Sequence, residues 1–280
     1  MNPARFLRPV LVALGCAILA ALAHAQSGPL LGSTVFDWSS LKAKPTPVGL
    51  VRTVVNAPAA TLDHFEFHIT TLNPGNQSHP PHHHPQEEVI VLKEGTLEAN
   101  INGHKQRVGP GSVLFFASHD VHNATNVGDK PATYYVINFY TKASSTVSDR
   151  PASEYAPPGF LRSSVFDATT FVTKKTETGS RQVIVDSPSL TFARFESHVS
   201  TLNPGAIAGK VHSHPWTELI IVKEGEIEAT IDGVAHVMQA GSAVFIASNS
   251  TQMFRNPASV PSSYCVVGVT SAEVPKPAQG

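Results

Sequence analysis

The sequence predicts an all-β protein built from two tandem jelly-roll barrels. The chain repeats itself at an offset of 130 residues: FEFHITTLNPG from Phe65 matches FESHVSTLNPG from Phe195, and PGSVLFFAS matches AGSAVFIAS. Within each copy the apolar period is two, with Phe65, Phe67 and Ile69 alternating with Glu66, His68 and Thr70. The remaining apolar runs (EVIVLKEG, SVLFFAS, TYYVINFY) are short, rich in β-branched and aromatic residues, and bounded by Gly, Pro or Asn. No amphipathic helix of ordinary length is expected, and a jelly roll of eight or so strands per copy satisfies these signals.

The elements follow in chain order. Arg5 and Arg8 precede an apolar run from Pro9 to Ala23, and Ala23-His24-Ala25 has the small-x-small form of a cleavage site. Residues 1–25 therefore read as a secretory signal peptide cut after Ala25, which places the mature chain in the periplasm or outside the cell. The first barrel is expected at 26–145, a linker at 146–160 and the second barrel at 161–275. The linker is rich in Ser and Pro and is expected to be extended and exposed. The Pro-rich arm over 26–50 is expected to cover edge strands, and the two copies to pack face to face about a pseudo-two-fold axis.

Composition excludes some partners. The net charge is −1 and the isoelectric point near 6.9, so neither nucleic acid nor an anionic membrane is expected to bind. Cys16 leaves with the signal, and Cys265, alone in the apolar run SYCVVGV, reads as a buried small hydrophobe.

The chemistry lies in a motif that occurs twice. His82, His84 and Glu88 form H-x-H-x-x-x-E, repeated as His212, His214 and Glu218. A fourth candidate follows each glutamate by 34 residues, His122 in the first copy and Gln252 in the second. Residues i and i+2 of a strand share a face, so His82 and His84 point together while His83 turns away. Three imidazoles and a carboxylate suit a mononuclear transition metal with open coordination positions. Gln252 offers a neutral amide oxygen, a weaker ligand than imidazole for most transition ions, as the fourth member of the second site. A lone H-x-H is common and often meaningless; the duplicated, fully spaced set is not.

Other residues carry smaller expectations. His119, three residues before His122 on a turn, is a candidate base behind the ligands or a solvated loop residue, and Asn138 a candidate contact to a bound ligand. His79 belongs to the same cluster. The repeated pairs Glu66/His68 and Glu196/His198 read as the polar face of a strand, with an interface role as the alternative.

These motifs resemble those of the cupins and, because there are two copies, the bicupins. Gly75, His82, His84, Glu88 and Gly95 fit the first cupin motif with one extra residue after Gly75, and Gly111, His122 and Asn126 fit the second. Ala117 and His119 stand where that motif usually has Pro and Gly; Ala247 and Asn249 do so in the second copy. The resemblance implies two double-stranded β-helix barrels and one or two divalent transition-metal ions per chain (Mn, Fe, Ni, Cu or Zn). It leaves the reaction open. An oxidoreductase of dioxygenase type on a small organic substrate is the favoured expectation. A hydrolase, decarboxylase, lyase or isomerase, or a non-catalytic binding protein, is the alternative. Oxalate-degrading bicupins usually carry an arginine just before H-x-H, where this chain has His79-Pro80-Pro81 and Lys210-Val211. The ureidoglycine aminohydrolases have a glutamine ligand in their second domain, as Gln252 would be, but a different ligand order. A homodimer is a further possibility.

Overall fold

Alternation along Leu62–Leu72 dictates how the molecule is assembled. In the computed structural model, which describes residues 29–271, Phe65, Phe67 and Ile69 are fully buried on one face of this strand. The strand pairs antiparallel with Gly49–Ala59 on one side and Ala132–Tyr140 on the other. Glu87–Glu94 pairs with Ala132–Tyr140 and then with Val113–Phe116. The second copy repeats this order with Gly179–Ser187, Phe192–Leu202, Ser262–Ser271, Thr217–Glu224 and Ala243–Ile246. Each copy adds a smaller sheet, which in the first is His104–Val108, Leu97–Ile101 and His122–Asn126. The fold is the expected pair of β barrels. The only α-helix among the described residues is the single turn Ala152–Tyr155.

The main apolar core lies between the copies. Phe65 meets Phe245 with ring centroids 4.7 Å apart, Phe115 meets Phe195 at 4.9 Å, and Phe139 meets Phe192 at 5.9 Å. Burying each such ring contributes about 1.5–3 kcal/mol, so the two copies stabilise one another. This is the expected face-to-face packing, and Cys265 lies buried within it. Each barrel also has a smaller core of its own on the opposite sheet face.

The copies exchange strands. Thr34–Phe36, from the first copy's arm, pairs with Ala243–Ile246 of the second barrel. Ser164–Phe166, 130 residues on, pairs with Val113–Phe116 of the first. The arm does cover an edge, as expected, but the edge of the other barrel.

The linker differs from expectation. It contains the turn of helix Ala152–Tyr155, and Ala152 and Ala156 are buried. Ser153 fixes it by donating from both its backbone N–H (3.0 Å) and its hydroxyl (2.7 Å) to Asp120 Oδ1. Small alanines at the points of closest approach let a Ser/Pro-rich segment pack down. The assigned signal peptide, residues 26–28 and residues 272–275 lie outside the described residues.

One motif glycine, Gly95, is required by contact. Gly95 has φ +88°, and a Cβ there would stand 2.5 Å from Ala132 Cα. His119 and Asn249 have φ +58° and +65°. The turn before His122 or Gln252 thus needs a left-handed residue, and His and Asn are among the non-glycine residues that tolerate it best.

Candidate metal centre and its divergent twin

Strand pairing gathers the first constellation. His82 and His122 exchange backbone hydrogen bonds of 3.1 and 2.8 Å, which sets their side chains next to each other. His84 follows two residues later, and Glu88 enters from Glu87–Glu94. Ligand atoms of His82, His84 and His122 all lie within 4.8 Å of one another. Glu88 Oε2 stands 3.6 Å from His84 Nε2, and Oε1 stands 4.0 Å from His122 Nε2.

The three rings are oriented from behind. His82 Nδ1 donates to His122 O at 3.2 Å, His84 Nδ1 to Gln86 O at 2.9 Å, and His122 Nδ1 to Asp120 O at 2.8 Å. A carbonyl can only accept, so in the neutral rings the proton is on Nδ1 and the lone pair on Nε2. The Nε2 atoms of His84 and His122 are buried without a hydrogen-bond partner. Burial pushes the His122 imidazole down to about 4, against the opposing pull of Glu88. Burial also lowers His82, reinforced by His79, whose ring lies 3.9 Å away. Burial works to raise the Glu88 carboxyl, but its interactions with the neighbouring His84 and His122 rings outweigh it and hold Glu88 below its ordinary value. Neutral imidazoles with inward lone pairs around an ionised carboxylate are what a divalent transition ion requires, and orphaned buried nitrogens have no other evident use.

The set faces a cavity of about 240 Å³ walled by Ile90, Phe116 and Val136. Opposite the imidazoles, His68 Nδ1 donates to Glu66 Oε1 at 2.6 Å, and Asn138 Nδ2 donates to Glu66 Oε2 at 2.8 Å. In the neutral ring this leaves the lone pair on His68 Nε2, and the ring lines the cavity. Glu66 and His68 lie on the polar face of their strand, as expected, and that face points into the barrel because the apolar face is taken by the other copy. Asn138 reaches the cavity as expected.

His119 does not. Its Nδ1 lies 3.2 Å from His83 Nδ1, and both rings are absent from the cavity wall. The left-handed backbone at 119 aims the side chain outward, towards Asp149 at 4.0 Å. His83 turns away, as its parity predicts.

The second constellation is built differently. Gln252 Nε2 donates to Glu218 Oε2 at 2.7 Å, and Trp216 Nε1 donates to Glu218 Oε1 at 3.1 Å. His214 Nε2 is 3.5 Å from Glu218 and its ring stacks on Trp216 at 4.1 Å, while His212 is exposed. Among the described residues, the first-barrel triad is the only group of three or more His, Cys, Asp or Glu side chains gathered closely enough to hold an ion. The adjoining cavity is about 290 Å³ and includes Arg181, Glu196 and His198. Arg181 and Trp216 were not singled out from the sequence. The signal was in the repeat, where they replace Val51 and Gln86.

Comparison with known proteins agrees with this geometry. The cupin domain profile matches residues 68–138 and 198–268, once in each barrel. L-ectoine synthase of Bordetella petrii is 36% identical over 59 residues, which is 21% of this chain and 44% of that protein. The chain thus spans less than half the length of that relative. Among solved structures, protein Ylba from E. coli superposes with TM-score 0.67 at 13% identity, covering 90% of this chain and 97% of its own. A mutant of Bacillus subtilis oxalate decarboxylase OxdC gives 0.64 at 16% identity, covering 87% and 79%. AerE from Microcystis aeruginosa gives 0.63 at 13%, covering 85% and 99%. At these identities the likeness is one of fold.

Proposed function

The chain belongs to the cupin family, with two cupin domains in tandem, and on that premise we propose that its first barrel is a mononuclear metal centre acting on a small organic substrate. One observation carries this reading: three imidazoles held from behind by carbonyls converge, with Glu88, on a cavity whose wall mixes polar side chains with Ile90, Phe116 and Val136. His82, His84, Glu88 and His122 would hold the ion. When bound, a divalent transition metal supplies Lewis acidity or redox activation at its open positions. Bacillus subtilis oxalate decarboxylase is described as having Mn(II) centres; for this chain the ion stays a proposal.

The favoured chemistry is oxidoreductase, of dioxygenase type. No serine or cysteine nucleophile with an adjacent base stands in the cavity, so the protein's part is to orient substrate and move protons. Ile90, Phe116 and Val136 give the substrate an apolar surface to rest against. His68, steadied by Glu66, is placed to take a proton at Nε2. That same dyad favours the second reading, a non-redox lyase, decarboxylase, hydrolase or isomerase, in which proton transfer at His68 does more of the work.

Export through the segment 1–25 belongs to this proposal. An apo chain filled outside the cytoplasm would take Cu or Zn ahead of Mn or Fe on affinity, unless supply decides otherwise.

The test is elemental analysis of the mature chain together with an oxygen electrode across a panel of small hydroxy acids, diols and phenols. One ion per chain and substrate-dependent oxygen uptake supports the first reading. One ion with product formed and no oxygen consumed supports the second. No ion in protein from its own compartment overturns both.

A further inference from the structure

The second barrel's cavity departs from the first at the positions that decide what it can hold. Both oxygens of Glu218 are occupied by neutral donors, the Gln252 amide and the Trp216 indole. Neither donor can act as a ligand through that nitrogen. Flipping the Gln252 amide would set its oxygen against the carboxylate, so its orientation is dictated by the pair. The other amide atom, Gln252 Oε1, is left buried, without a partner, in the cavity wall.

A cation enters at the same time. Arg181 lines this cavity where the first copy has Val51. Its guanidinium donates to His198 Nδ1 at 3.0 Å. Guanidinium cannot accept, so His198 Nδ1 is the acceptor and Nε2 carries the hydrogen. Burial, followed by the charges of Arg181 and Arg194, pushes His198 down to about 3, so the ring is a neutral donor. The neighbouring Arg194 is already spent on Asp186 at 2.7 Å and Glu196 at 2.6 Å. Among the described residues no carboxylate lies within ion-pair distance of Arg181.

The cavity therefore offers a fixed cation and an N–H donor on one side and an unpaired acceptor on the other. We propose that the second barrel binds a small carboxylic acid bearing a hydroxyl or amino donor, in place of a metal ion. The carboxylate meets Arg181 and the donor meets Gln252 Oε1. A planar guanidinium suits a carboxylate, and leaving Gln252 Oε1 unpaired is costly, which explains a preference for the substituted acid.

Calorimetric titration of the full chain with lactate, alanine and propionate tests this. Lactate or alanine is expected to bind saturably, and propionate at least fivefold more weakly. Arg181→Val, which installs the first copy's residue on an exposed strand position, is expected to weaken binding at least tenfold; Arg181→Lys should recover part of it. Any acid bound in the first barrel survives Arg181→Val, so the two cavities are told apart. Absence of saturable binding to wild type would overturn the proposal, as would affinity unchanged in Arg181→Val. A second Mn or Zn ion per chain, lost on Gln252→Ala, would also overturn it and make this cavity a metal site.

Discussion

Gln252 and Glu218 are hydrogen-bonded side chain to side chain at 2.7 Å, whereas their first-barrel counterparts, His122 and Glu88, stand 4.0 Å apart with no hydrogen bond between them. The substitution changes the sign of what the carboxylate faces. Gln252 donates a hydrogen and quiets Glu218. His122, with its hydrogen committed to Asp120 O, presents a lone pair beside Glu88, and only a cation between them relieves two adjacent electron-rich groups.

Metal stoichiometry should follow that difference. Wild-type chain is expected to hold one divalent ion. His122→Ala should lower its affinity by at least about 100-fold, since even residues behind the ligands cost 10–100-fold. Gln252→Ala should leave the count at one. Elemental analysis of the three proteins after gel filtration decides it.

Glu87 is a second buried carboxyl with a different task. It points away from Glu88 into the seam between copies, where Thr191 donates to its Oε2 at 2.8 Å and Ser189 donates to the same oxygen. Burial pushes it up to about 7, despite those bonds. A carboxyl raised from 4.5 inside the fold keeps its proton longer there than in the unfolded chain. Its proton-linked support is thus full below pH 4.5 and is lost as pH rises through 7, by about 3 kcal/mol in all. Glu87→Gln should flatten this limb, leaving the variant more stable than wild type above pH 8. Thermal melts from pH 5 to 9 would show a wild-type loss that the variant lacks; parallel curves would refute the assignment.

His119 tests whether a residue near the candidate metal ligands is there for chemistry or for backbone. Its φ of +58° requires a residue that tolerates the left-handed region. His119→Gly should keep metal content and melt at or above wild type, while His119→Val should lose about 1–2 kcal/mol. A drop in turnover for the folded glycine variant would reinstate His119 as a participant in the reaction.

These cases show what the chain made legible. The candidate ligands His82, His84, Glu88 and His122 could be read because strand parity and a repeated spacing are linear features. His119 could not be placed, because a left-handed turn leaves no mark when histidine fills it. Glu66 and His68 could be read as a strand's polar face but not as a cavity wall, since polar strand faces as a rule meet solvent. That rule fails when the other copy, not the barrel interior, takes the apolar face. Arg181 was visible only as a valine-to-arginine change between copies, which acquires meaning once the strand is known to border a cavity. The exchange of Thr34–Phe36 and Ser164–Phe166 has no sequence signature at all, since each strand would read the same on either barrel.

That exchange, with the shared aromatic core, predicts how the molecule unfolds. Phe245 of the second barrel is fully buried and packs on Phe65 of the first at 4.7 Å. Two domains joined only by a linker would melt separately when one is weakened. Here the weakened barrel also carries the partner strand of Thr34–Phe36 and half of the common core, so neither barrel keeps its apolar sheet face covered once the other opens. Phe245→Ala should therefore cost about 3–5 kcal/mol and shift a single calorimetric transition, with calorimetric and van't Hoff enthalpies remaining equal. Two resolved transitions, with the first barrel melting at its wild-type temperature, would mean that the barrels are independent and that the seam between them contributes little.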